Sequence, residues 1–136
     1  MKHFFRLVTF LLMSATVLWA EDQKTPAAYP DPAKFESAIE KYEAADAQQM
    51  PPTGAIVALG SSTVRLWSEE IGKDLAPLTI VPRGFGGSNM NDALFFVERI
   101  AIRYKPRAIL LYEGDNDLAQ GISPELILET FLLNRC

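Results

Sequence analysis

The sequence predicts an α/β fold: a doubly wound parallel sheet with helices on both faces. Three observations lead there. Short, mainly apolar runs recur at residues 55–59 (AIVAL), 78–81 (LTIV) and 108–112 (AILLY), the pattern of strands buried on both faces. Stretches with helical spacing stand before, between and after them, which is the alternation of a doubly wound sheet. A glycine-containing segment closely follows each run, at the C-terminal strand ends where such folds place their functional sites.

The elements follow in order. Residues 1–20 read as a secretory signal peptide, with Lys2 and Arg6 ahead of a thirteen-residue apolar run, 7–19, and Ala20 before Glu21-Asp22 as the cleavage point. That run is short for a membrane span; an uncleaved N-terminal anchor is the alternative. Residues 21–32 are polar and proline-containing and form a linker, and 33–136 form the domain. Asp31-Pro32 opens a helix, since Asp is a good N-cap and Pro suits the first helical position. Phe35, Ile39 and Tyr42 fall on its apolar face with Glu36, Glu40 and Lys41 on the wet side, and Pro51-Pro52-Thr53-Gly54 stops it. After the first strand the crossover is helix or loop. Ser88 or Asn89 caps the next helix, whose apolar residues are Leu94, Phe95, Val97, Ile100 and Ala101 and which ends before Pro106. Ser123-Pro124-Glu125 begins a last helix that runs to Leu133.

The sequence has 136 residues and a net charge of −4, which fits a single domain. Loss of residues 1–20 removes Lys2 and Arg6, leaving 116 residues and taking the charge from −4 to −6. That length is small for a complete α/β enzyme. With no basic run, nucleic acid is not expected as a partner. The one cysteine, Cys136, allows neither an intramolecular disulfide nor a cysteine metal site. Export without disulfides fits an envelope protein, periplasmic or secreted, with no stable membrane insertion once the signal is cleaved.

Three segments carry candidate chemistry. Ser62, at the turn after the first strand, is placed as a nucleophile, with a helix start beside it presenting backbone N–H groups; Ser61 and Ser62 serve equally as caps of that helix. It is no P-loop, because no Gly-Lys-Ser/Thr follows. Gly84, Gly86 and Gly87 allow close backbone approach and an oxyanion-donating N–H, or simply a tight turn. They do not form a dinucleotide fingerprint, because residue 89 is Asn. Asn116 offers an amide N–H donor to an oxyanion, and Asp117 is a cap for the turn that follows. Glu113, Asp115 and Asp117 raise the question of a cation, but the calcium-loop pattern is missing. Neither a metal nor a cofactor is expected. Arg83 is open between a substrate contact and the surface.

Taken together, GSSTVRLW, RGFGGS and YEGDNDLAQG, in that order and each at a strand end, resemble the first three blocks of the SGNH (GDSL-like) hydrolases, in the envelope-type subset whose first block reads Gly-Ser-Ser and continues with Arg and Trp, as Arg65 and Trp67 do here. The likeness runs from about residue 51 to 121. It implies a three-layer, flavodoxin-like sheet and an exported ester hydrolase acting on acyl or acetyl esters, including those of carbohydrates. It implies Ser62 as nucleophile, with the Ser62 and Gly87 N–H groups (Gly86 as the near alternative) and the Asn116 amide as the oxyanion hole. Ser61 stands where the family has Asp.

The resemblance also implies a histidine in an Asp-x-x-His block, and this sequence has none. Its one histidine is His3. The expectation is therefore a sheet incomplete at the C-terminal end and a C-terminally truncated chain, or else a short pseudoenzyme that keeps a carbohydrate- or acyl-binding pocket without the base. A flavodoxin-like nucleotide binder is a third reading, without the lysine that phosphate binding calls for.

Overall fold

The computed structural model describes residues 28–133; the predicted signal peptide and most of the predicted linker lie outside them. A 3-10 turn, Pro32–Phe35, starts where the sequence placed the first cap, with the Asp31 carboxylate accepting the Ala33 N–H at 2.9 Å. It leads into α1 (Glu36–Gln48). Then come β1 (Ile56–Gly60), α2 (Ser62–Trp67), α3 (Ile71–Asp74), β2 (Ile80–Gly84), α4 (Met90–Ile100), β3 (Ala108–Tyr112), α5 (Asp115–Ala119) and α6 (Pro124–Leu133).

The three strands form one parallel sheet in the order β2-β1-β3. Parallel neighbours need crossovers. The chain steps from β1 to β2 on one side, then passes back over β1 to reach β3. Two crossovers of one hand, running in opposite directions, must lie on opposite faces of the sheet. They do: Val57 and Leu59 of β1 pack with Ile39 of α1 and Phe96 and Ile100 of α4, whereas Ala58 packs with Val64 of α2 and Ile71 of α3. This is the expected three-layer α/β architecture.

Two details differ from the sequence reading, and two complete it. The second strand runs on through Pro82, Arg83 and Gly84 instead of ending at Val81. Proline is tolerated because among the described residues β2 pairs only with β1, so its missing N–H falls on the outer edge. The first crossover, open between helix and loop in the sequence, is two short helices. Phe95, counted as apolar-face, is 63% exposed, and Phe96 takes the core position. In the Gly-Asp-Asn-Asp segment Asp115 already starts α5. On the far side of the sheet β3 has no strand partner among the described residues, and Leu110 and Tyr112 are 42% and 47% exposed. Along its α4 face runs an apolar groove of about 620 Å³, whose lining includes Leu94, Ile109, Leu111 and Phe131, with Glu113 also on its wall.

Candidate functional site

The strand register fixes the site. Gly60, the last residue of β1, pairs with Gly84 at the end of β2 and with Tyr112 at the end of β3. Three chain exits therefore open side by side: Ser61-Ser62, Phe85-Gly86-Gly87-Ser88, and Glu113-Gly114-Asp115-Asn116. The gap between β1 and β3 is also where the winding direction reverses, the usual crevice for ligands in such sheets. Two glycines make this closeness possible. A Cβ on Gly60 would stand 2.5 Å from the Tyr112 carbonyl oxygen, and one on Gly84 2.2 Å from the Arg65 backbone nitrogen.

Ser62 is the first residue of α2 and is half-buried. Its Oγ has no hydrogen-bond partner among the described residues. Ser61 occupies the N-cap, but its side chain makes no capping bond, and its Oγ is buried without a partner. The simple capping alternative for this pair thus lacks the bond that defines it. Arg65, one turn on, is exposed and lays its guanidinium along Gly86. Trp67 packs into the smaller core and donates its Nε1–H to Asp74 Oδ2 at 2.7 Å.

The glycine segment is held from both ends. Phe85 N–H donates to the Gly60 carbonyl at 3.0 Å, and Ser88 N–H to the Phe85 carbonyl at 3.2 Å. Between them Gly87 has φ +87°, with open space around it; a side chain there would be strained by its backbone alone. The Asn116 Nδ2 donates to the Ser88 carbonyl at 2.7 Å. One amide proton of Asn116 is thereby spent on the glycine loop, and the other is left over as a donor.

Two acidic residues behave in ways the sequence did not disclose. Asp117, expected to cap the turn that follows it, is fully buried and points back across the site. Its carboxylate accepts the Met90 N–H at 3.0 and 3.1 Å and the Tyr29 hydroxyl at 2.8 Å. It therefore joins the exit of β3 to the start of α4, where a carboxylate is favoured by the exposed N–H groups. The same helix start carries a capping box between Asn89 and Asp92. Glu113 accepts the Ser88 hydroxyl at 2.7 Å, while its second oxygen is buried and unpaired. Burial, followed by Asp117, Asp115 and Asp92 nearby, pushes its carboxyl up to about 8, against the opposing pull of Ser88. Burial likewise raises Asp92, offset by the Asn89 N–H and Lys34.

Arg83 is not a surface group. It is buried, with Asp46 Oδ1 at 2.6 Å, the Tyr104 hydroxyl at 3.1 Å, and the Tyr42 and Tyr104 rings 4.7 and 5.0 Å from its guanidinium. Asp46 also accepts the Tyr104 hydroxyl, and Tyr42 donates to the Gly84 carbonyl at 2.7 Å. The cluster props the base of the glycine segment. No sequence signal marks it except a charged residue inside a strand and an acid late in a helix.

Among the described residues no group of three His, Cys, Asp or Glu side chains is placed to hold a metal ion, and no helix is long and apolar enough to cross a membrane. The one histidine, His3, lies outside them.

No protein-family model matches the sequence, and comparison with curated proteins finds no significant match. Among solved structures, the fold is similar to the crystal structure of a Bacteroides fragilis protein provisionally named an acylhydrolase, with a TM-score of 0.60, 15% identity, and coverage of 78% of this chain and 52% of that one. At that identity the likeness is one of fold. The chain spans about half the length of the structure it matches, and its three-stranded parallel sheet flanked by helices has an acylhydrolase-like architecture.

Proposed function

We propose that this chain carries the nucleophile and oxyanion hole of an exported serine ester hydrolase of the SGNH type, periplasmic or secreted, acting on small acyl or acetyl esters, including those of carbohydrates. The observation that supports the reading is the register that sets the exits leading to Ser62, the Gly86-Gly87 loop and Asn116 side by side at the C-terminal end of the sheet; the acylhydrolase-like fold adds to it. Ser62 Oγ attacks the ester carbonyl carbon. The oxyanion that forms is held by the Ser62 and Gly87 N–H groups and the second amide proton of Asn116. The serine proton goes to a histidine of the Asp-x-x-His pattern, which the described residues do not supply. Collapse expels the alcohol, and water then releases the acyl group from Ser62.

The test is ester hydrolysis by the protein as its gene encodes it, on p-nitrophenyl acetate and acetylated oligosaccharides. Ser62→Ala is expected to lower kcat by at least about 10³-fold; undiminished turnover overturns the assignment. The unpartnered Ser62 hydroxyl favours a second reading, a carbohydrate- or acyl-binding module without catalysis. It predicts saturable binding of the same oligosaccharides by calorimetry, with no turnover that depends on Ser62.

A further inference from the structure

We infer that Glu113 is a positioning residue: its carboxyl group, through Ser88, latches the Gly86-Gly87-Ser88 loop and the Asn116 amide into one geometry. The inference rests on the proposed function only where the loop and amide serve as an oxyanion hole; the latch itself stands on contacts. Ser88 bridges the two halves of the site. Its hydroxyl donates to Glu113 Oε1 at 2.7 Å and its carbonyl accepts Asn116 Nδ2 at 2.7 Å. Ser88 is fully buried, so neither bond is exchanged freely with water. Glu113 leaves β3 on one side of the crevice and Ser88 leaves the glycine segment on the other; one hydrogen bond thus ties strand exits 25 residues apart.

The surroundings favour a neutral latch. Asp115 and Asp117 of α5 and Asp92 of α4 all face Glu113 and disfavour a further negative charge. Lys34 sits 3.7 Å from Asp92. The Asp117 carboxylate is taken up by Met90 N–H and Tyr29. The groove that Glu113 lines is walled mainly by apolar side chains, among them Met90 of α4, Leu111 of β3 and Phe131 of α6, with Glu98 of α4 as a further carboxylate on the wall. A protonated Glu113 accepts the Ser88 proton with its carbonyl oxygen and adds no charge. Ionisation puts a fourth carboxylate among three; the Ser88 hydrogen bond, stronger to a carboxylate, opposes this without offsetting it, so the site is coupled to pH near 8.

The experiment is NMR on the isotope-labelled full chain, following the Gly86 and Gly87 backbone amides and the Asn116 side-chain amide from pH 6 to 10. In the wild type these signals are expected to move together, with one midpoint near 8. Glu113→Gln, which keeps the accepting oxygen but cannot ionise, is expected to abolish the transition and hold the low-pH positions. Ser88→Ala is expected to shift the Asn116 amide signals at every pH and to uncouple them from Glu113. A transition that persists in Glu113→Gln, or loop signals indifferent to both variants, overturns the latch. In the protein as its gene encodes it, Glu113→Ala is expected to lower kcat about tenfold with little change in KM, and Glu113→Gln to rescue it. If no Ser62-dependent turnover exists, the esterase reading falls while the NMR result still decides the latch.

Discussion

Two buried charge clusters flank the glycine segment, and they are built on opposite principles. On the β2 side, Arg83 is matched by Asp46 at 2.6 Å, by the Tyr104 hydroxyl and by two aromatic rings. Cation and anion compensate, and each polar atom of the pair has its partner. On the β3 side, Glu113, Asp92 and Asp117 share a small volume with Asp115 at its rim, and the cation near them, Lys34, is 42% exposed at its side chain. The first cluster is a prop that holds α1 against the sheet. The second is held together by backbone N–H groups and hydroxyls, and it stores unbalanced charge beside the candidate oxyanion donors. Perturbed carboxyls of this kind gather at functional sites, whereas a matched ion pair is equally at home in a scaffold.

The largest effect should come from breaking the matched cluster. Asp46→Ala leaves the Arg83 guanidinium buried with only the Tyr104 hydroxyl and the Pro82 carbonyl, and an uncompensated buried charge costs about 3–5 kcal/mol. Urea unfolding measures it. The double variant Asp46→Leu with Arg83→Met removes both charges and is expected to lose clearly less than the single one. A single-variant loss under about 1 kcal/mol would mean that the two clusters do not differ as described. Arg83→Lys should not rescue, because an ammonium cannot stack flat between two rings and reach Asp46 as well.

The unmatched cluster should respond the other way. Glu113 has a folded-state pKa of about 8 against an ordinary value of 4.5. Between those values the folded chain holds a proton that the unfolded chain has released, so stability declines as pH rises from about 4.5 to about 8. Glu113→Gln removes that decline. Relative to wild type, it should be about 2 kcal/mol more stable at pH 9 than at pH 5, less than full linkage gives, because the group keeps some contact with solvent. Parallel stability–pH curves for the two proteins would refute this.

How far the sequence disclosed these regions follows the same division. The three strands, the Asn89 cap and the strand-end placement of Ser62, Gly87 and Asn116 were legible because each rests on local pattern: apolar runs, cap chemistry and glycines after strands. The third strand was found although four of its five residues are exposed, since the run itself is apolar. The Arg83–Asp46 pair was not legible. Its partners are 37 residues apart, and nothing local distinguishes a helix acid that points inward. Asp117 was misassigned for a related reason. A carboxylate after a glycine has a local use as a cap, and only the tertiary fold shows that the Met90 N–H competes for it and wins. Phe95 and Phe96 show the limit of periodicity: adjacent aromatics satisfy the same pattern, and one-residue phase decides which is buried.

The smallest effect comes from a third cluster, which calibrates the other two. Arg99 of α4 donates to Glu43 at 2.8 and 2.7 Å and lies 2.7 Å from Glu36, both on α1. The geometry is as close as that of the buried pair, and hydrogen bonds to Arg99 hold Glu43 below its ordinary carboxylate range. All three side chains, however, are about a third exposed or more. Water already solvates these charges, so the pair gains little on forming. Arg99→Ala should cost at most about 1 kcal/mol, part of it from lost packing of the guanidinium over Phe96 at 5.5 Å. The loss should shrink in 0.5 M salt, where exposed pairs are screened and buried ones are not. If Arg99→Ala and Asp46→Ala cost the same and respond alike to salt, then distance and not burial governs these ion pairs, and the contrast between the two clusters beside the glycine segment loses its physical basis.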